Sequence, residues 1–349
     1  MTLFVCFNIL QSFPSCNLNR DDVGSPKTCQ VGGVTRGRVS SQCFKRAVRE
    51  ALRNLGYDLA IRTRKVDRLL HERLIERNPQ IAEEAIAECV EAIVKKGKFD
   101  NMTSLTDAEY DELAIIIEEA AFDPKAIDDK CLKRLQTAFR KRDGGHTGLD
   151  IALFGRMIAT VDQLNVEGAT SFNHAYTTHA ITSGLDYFTA VDDVDGTAGH
   201  IDNKGFTAGV FYRYVCLNVD RLVETLGLDA EELHKAIEAF VKALYVALPS
   251  GSQHTYSAYN LWDYCHCLIQ TGQPVQANFE KPVTGTASSG LLEPSIKRLE
   301  ESLARTEKLS GSLYGKKADI VFGGEDSPSI DEFAEEIAKL VQANIALKE

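Results

Sequence analysis

The sequence predicts an α+β fold with a helical lobe inserted early, and three observations carry that prediction. The chain opens on an apolar, β-prone run at Phe4–Gln11 and turns helical soon afterwards. Residues 60–142 then show helical periodicity with charged outer faces and few strand signals. From Leu149 onward strand-like segments return, mixed with helices. The boundaries expected are one body from 1–56 and 143–349 with the helical insert at 57–142. At 349 residues, 44% hydrophobic and 26% charged, the chain is long and apolar enough to bury a sizeable core.

Each element has a local reason. Phe4 to Gln11 suits a buried strand, whereas Ser12 to Arg38 is loop-like, with Pro14, Asn17, Asn19, Gly24, Pro26, Gly32, Gly33 and Gly37. Ser40 or Ser41 caps a helix that runs to about Leu55, and Gly56 stops it. In the insert, Arg68-Leu69-Leu70, Ile81 to Lys95, Asp107 to Ala121 and Asp128 to Arg142 are helical, with Asp107 and Asp128 as caps. Asp150 to Phe154 reads as a short strand, and Ser171 to Ile181 alternates like one. Strand-like Asp186 to Val191 and Phe206 to Val219 flank a polar, glycine-rich segment, Asp192 to Gly205, which describes a long hairpin with a mobile tip. Asp229 to Leu248 is an amphipathic helix, Gln253 to Trp262 is strand-like, and Glu332 to Ala346 is a final helix.

Composition excludes some functions. No apolar run approaches the ~20 residues that span a bilayer. Met1 to Leu10 lacks a basic n-region and a cleavage site, so a cytoplasmic protein without a membrane is expected. The nine cysteines include no CxxC pair, and Cys265-His266-Cys267 has no second half at zinc spacing. Free thiols, no metal site and no cofactor are expected. The net charge of −11 argues against nucleic acid, but its distribution does not. Residues 1–80 hold 14 Lys/Arg against 7 Asp/Glu, a balance of +7 that leaves −18 for the remainder. A polyanion-binding face on an acidic body has this asymmetry; a basic helix that balances charge within the fold has it too.

The densest cationic feature is Leu18-Asn19-Arg20-Asp21-Asp22 with Lys27, Arg36 and Arg38, followed by Ser40-Ser41-Gln42-Cys43-Phe44-Lys45-Arg46-Ala47-Val48-Arg49. On a helix Gln42, Lys45 and Arg49 share one face. Two cations one turn apart repel, and an anion between them relieves the repulsion. The helix N-terminus at Ser40 to Gln42 adds backbone N–H groups aimed at an anion. The competing reading is an ordinary solvated face with Arg46 paired to Glu50.

These residues resemble the CasC family, the backbone subunits of type I-E CRISPR Cascade complexes. The matching stretches are Pro14-Ser15-Cys16 with Leu18 to Asp22, and Arg38-Val39-Ser40-Ser41-Gln42 with Lys45-Arg46-Ala47. Asp150 to Met157, His174 to His179, Phe188 to Asp193 and Gly209 to Tyr214 agree in order and spacing as far as about residue 283. The match is weak in the helical insert and poor beyond about residue 300. The resemblance implies an RRM-like (ferredoxin-like) palm, helical fingers at the insert and a β-hairpin thumb at about 181–211. Copies would stack head to tail along a crRNA beside other Cascade subunits, leaving bases free to pair with target DNA. It implies RNA backbone contacts from Arg20, Lys27, Arg38, Ser40, Gln42, Lys45 and Arg49. Met157 would wedge against a base, and Phe188 and Thr189 would sit at a kink in the strand. Tyr187 stands where relatives can carry Trp, and Thr35-Arg36-Gly37 has fewer cations than some relatives.

Two catalytic alternatives exist. Asp192, Asp193 and Asp195 could bind Mg²⁺ for RNA cleavage. His174 and His179 could serve as acid and base, but five residues apart they point to opposite faces of a strand. A non-enzymatic subunit is the expectation.

Overall fold

Strand β1 (Phe4–Cys16) is apolar on both of its alternating faces because both faces are covered. The structure, a computed structural model, describes residues 1–99, 101–128, 130–131, 148–158, 165–196, 198–324 and 326–345. Strand β1 runs antiparallel to β9 (Ala198–Asn218) on one side and β10 (Tyr264–Gln270) on the other. The nine-stranded sheet has the order β11-β10-β1-β9-β7-β3-β2, where β2 is Thr28–Val31, β3 Val34–Val39, β7 Ala175–Thr177 and β11 Lys316–Phe322. Strands β6 (Thr170–Phe172) and β8 (Gly184–Val191) pair with β9 off this path. A register shift between Phe13 and Cys16 accommodates Pro14, which has no N–H to give the ladder.

The chain divides into two compact units: Met1–Leu55, Ser171–Val219 and Glu232–Glu349 in one, Gly56–Thr170 and Asp220–Glu231 in the other. In the first, one sheet face packs on α1 (Ser41–Asn54) and α7 (Ala230–Val246), through contacts such as Phe7 on Phe240 and Phe44 in a cluster with Phe13 and Phe211. The opposite face buries Cys6, Leu10, Tyr212 and Leu268 beneath Leu299 and Leu303 of α9 (Leu292–Ser310).

The second unit is built on α2 (Val66–Arg77), α3 (Glu83–Gly97) and α4 (Asp107–Glu119), with the small sheet β4 (Ile61–Thr63) and β5 (Thr103–Leu105). Leu70, Leu74, Ile86, Val90, Ile93, Leu113 and Ile117 fill its core. The cap of α4 is Thr106, reciprocated by Glu109, and Asp107 is the first helical residue. The unit continues past residue 142 to Thr170, since Ile158 joins its core and Arg156 bonds Glu109. Asp220–Glu231, covering most of α6 (Val219–Leu226), belongs to it too, with Arg221 paired to Glu167.

Several expectations need correction. Asp150 to Phe154 is not a strand but lies in the helix α5 (Leu149–Phe154); Ile151, Ala152 and Leu153 are all buried, and a short apolar run fits a buried helical turn as well as a strand. Ser12 to Arg38 is not a continuous loop, because β1 runs to Cys16 and β2 and β3 form a hairpin. Gly32 and Gly33 make its turn at φ +62° and +74°, and a Cβ on Gly32 would meet the Glu280 carbonyl at 1.8 Å. Gln253 to Trp262 is a short helix, α8 (Gln253–Tyr256), followed by irregular chain. The hairpin tip is shorter than Asp192 to Gly205, since β9 begins at Ala198. The expected helix from Asp128 to Arg142 lies outside the described residues beyond Cys131. The final helix is α10 (Ile330–Asn344), capped by Ser329.

Candidate nucleic-acid interface

The Leu18-to-Asp22 motif folds as a loop tied to the start of α1. Asn17 donates to the carbonyls of Gly24 (3.0 Å) and Gly205 (2.9 Å), and Asp21 Oδ1 accepts from the Val23 and Ser25 amides. The Asn19 carboxamide oxygen accepts from the Ser40 amide at 2.9 Å, and the Lys27 amide donates to the Asn19 carbonyl. These polar side chains serve backbone groups, which leaves Arg20 exposed and Lys27 half-buried. Arg20 and Arg46 line an open cleft of about 520 Å³ together with Asp22 and Glu50, so charges of both signs face it.

Helix α1 begins at the N-cap Ser40, whose hydroxyl oxygen accepts from the Cys43 amide at 3.4 Å. The cap is required because the first amides of a helix lack internal partners. Phe44, Ala47, Val48, Ala51 and Leu52 face the core, which turns Gln42 and Arg46 outward and leaves Lys45 and Arg49 on the flanks. Arg46 is ion-paired to Glu50 at 2.8 Å, the arrangement of an ordinary solvated face. Lys45 differs: among the described residues it has no carboxylate partner, and its ammonium lies 5.6 Å from the centre of the Phe172 ring. Burial pushes its pKa below the ordinary lysine value, the signature of an uncompensated cation. The Ser41 amide donates to His174 Nδ1 at 3.1 Å, which seats the imidazole at the start of the helix.

The other predicted contacts fall as follows. Arg38 is half-buried on β3, its Nε without an acceptor. Arg36, read as part of the cationic loop, is fully buried and cannot meet an external phosphate. Its terminal nitrogens donate to the carbonyls of Thr177 (2.8 Å), Phe279 (3.0 Å) and Glu280 (3.2 Å), pinning β3 in place. Phe188 and Thr189 lie on β8, where no residue is buried; Lys204 on the paired strand sits 5.7 Å from the Phe188 ring centre. Met157 belongs to the second unit and is 79% exposed, which rules out core packing for it.

Comparison with known proteins fits this frame. The profile of the CT1975-like protein family matches residues 5–343. The chain belongs to this family. No curated protein matches it. It is similar to a chain of a solved "CRISPR RNA-guided surveillance complex, pre-nicking", with 30% identity, a TM-score of 0.82, and 96% of this chain and 99% of that one covered. A chain of another solved "CRISPR RNA-guided surveillance complex" is 26% identical, with a TM-score of 0.70 and coverage of 98% and 100%.

Several other chemistry-bearing groups among the described residues of this CT1975-like chain are engaged within the fold. Cys265 and Cys267 point to one face of β10 and His266 to the other, so the three cannot share a metal. His266 Nδ1 lies 2.8 Å from Glu300 and its Nε2 3.3 Å from Asp319. His179 is buried, bonded to the Ala180 carbonyl and accepting from the Val210 amide; desolvation lowers its pKa, and its role is structural. Asp192 Oδ1 accepts from the Val194 and Asp195 amides, so that carboxylate shapes the hairpin turn. Among the described residues one group, His234, Glu238 and Glu335, has its ligand atoms close enough for a cation. Lys242 and Lys339 already pair with those carboxylates, and the group works as an ion-paired clasp between α7 and α10. No helix among the described residues is long and apolar enough to cross a membrane. Sequence reasoning missed Phe172 and His174 as neighbours of α1; only their place within the β-like alternation of Ser171 to Ile181 set them on a strand.

Proposed function

We propose that this chain is the guide-RNA-binding backbone subunit of a CRISPR Cascade-type surveillance complex, of type I-E. The observation that carries the reading is the α1 flank. Lys45 is a half-buried cation without a carboxylate among the described residues, beside an aromatic ring and an imidazole at a helix start, a setting suited to phosphate and stacked bases. Similarity along nearly the whole length to chains of RNA-guided surveillance complexes supports it. In this reading the first unit is an RRM-like palm, the second the fingers and the exposed β8–β9 hairpin a thumb. Copies polymerise head to tail along the crRNA in the cytoplasm, beside other subunits, and present the guide for pairing with target DNA. Contacts to the backbone suit a guide whose sequence varies. The subunit is non-catalytic, without metal or cofactor.

Expression with its partner subunits and a CRISPR array tests this directly. A discrete small RNA should co-purify with the chain at a fixed protein-to-RNA ratio. RNA-free assembly, or Mg²⁺-dependent RNA cleavage abolished by Asp193→Ala, would refute the scaffold reading.

A further inference from the structure

Three arginines are buried among the described residues, and two are compensated. Arg156 meets the Glu109 carboxylate at 2.6 and 2.8 Å, and Arg36 is ringed by three carbonyl dipoles. Arg213 on β9 is 2% exposed and has neither. Its Nη1 donates to Gln11 Oε1 at 2.6 Å, its Nη2 has no partner, and no carboxylate pairs with it among the described residues. Its guanidinium carbon lies 3.8 Å from the centre of the Phe44 ring. Phe44 is on the inner face of α1, the helix whose flank carries Lys45 and Arg49.

A buried cation without a counter-charge is costly unless an anion elsewhere offsets it. Burial lowers the Arg213 pKa to about 9, so at neutral pH the group keeps its proton and its charge. We propose that Arg213 is a positioning residue for the RNA grip, its unneutralised guanidinium adding to the field that holds phosphate at the α1 flank. This inference rests on the proposed RNA-binding function. The ring contact with Phe44 also fixes the seating of α1 on the sheet. A helix is about 10–12 Å across and the guanidinium stands off its inner face, so a phosphate at the α1 flank lies roughly 15 Å from Arg213. At an effective dielectric constant of about 20, one such charge changes affinity about sixfold. Arg213 touches no phosphate, so its loss changes the salt slope by less than the one contact that a phosphate-binding cation supplies.

The test uses the full-length chain and a fluorescein-labelled single-stranded RNA. R213M should bind about sixfold more weakly, with the slope of log affinity against log salt changed by less than one contact. K45A should lose both affinity and slope. R213K at pH 6.5 should recover most of the affinity, then lose it by pH 8, where the wild-type guanidinium still keeps its proton and a buried lysine gives up its own. The groups packed on Arg213 are Gln11, Phe44 and Cys265; burial holds the Cys265 thiol above its usual range, so it stays neutral across that window. The R213K arm decides the matter should R213M fail to fold. Wild-type affinity in folded R213M, or in R213K at pH 8, overturns the proposal. K45A weakening with R213M unchanged sinks this inference alone, whereas a wild-type chain without salt-dependent RNA binding sinks the functional reading with it.

Discussion

Replacing Lys45 and Arg49 together by alanine should weaken RNA binding about 25-fold near 0.1 M salt and flatten its salt dependence. The figure comes from counterion release. Each phosphate neutralised on a single strand contributes about 0.7 to the slope of log affinity against log salt, so two lost contacts remove about 1.4. At 0.1 M that is about 1.4 decades of affinity. Lys45 is the stronger member because it has no carboxylate to fall back on among the described residues and is already partly desolvated. Arg46→Ala is the internal control: its guanidinium is paired to Glu50 and its side chain 78% exposed, so it should move the slope by less than one contact. Fluorescence anisotropy with a labelled RNA from 50 to 400 mM salt gives both slopes. An unchanged affinity and slope in the double variant, or an Arg46→Ala effect as large, would refute the assignment of the α1 flank as the grip.

Two further outcomes follow from the same contacts. Glu109→Ala should lower the stability of the second unit by about 3–5 kcal/mol, since it leaves Arg156 buried without its carboxylate and opens the Thr106 cap; urea unfolding measures it, and a loss under 1 kcal/mol would contradict the buried pair. His234 is held above its usual pKa by its hydrogen bond to Glu335, and to a lesser degree by Gln342. Its stabilisation is complete below about pH 6.5 and disappears as pH rises through the raised value, so the melting-temperature gap between wild type and His234→Ala should be wider at pH 6 than at pH 8.5.

Local chemistry was legible where it acts locally. Helix α1 could be placed to within a residue because a serine cap, an apolar stripe and Gly56 at φ +89° are signals within one segment. The long hairpin announced itself by two β-prone runs around polar chain. Strand β10, by contrast, went unseen: all seven residues are buried, so no alternation marks it. Asp150 to Phe154 failed for the related reason that burial on all sides erases the period.

The cationic N-terminal stretch shows where sequence stops. By itself the sequence determined that α1 exists, which residues share its flank, and that the first 80 residues carry the positive balance. Only the tertiary structure decided what each cation does. Arg36 turns inward to carbonyls 141 to 244 positions away, Arg46 takes Glu50, and Lys45 is left beside Phe172 without a carboxylate among the described residues. Period fixes the face a side chain occupies; what covers that face comes from chain remote in sequence, brought there by the sheet.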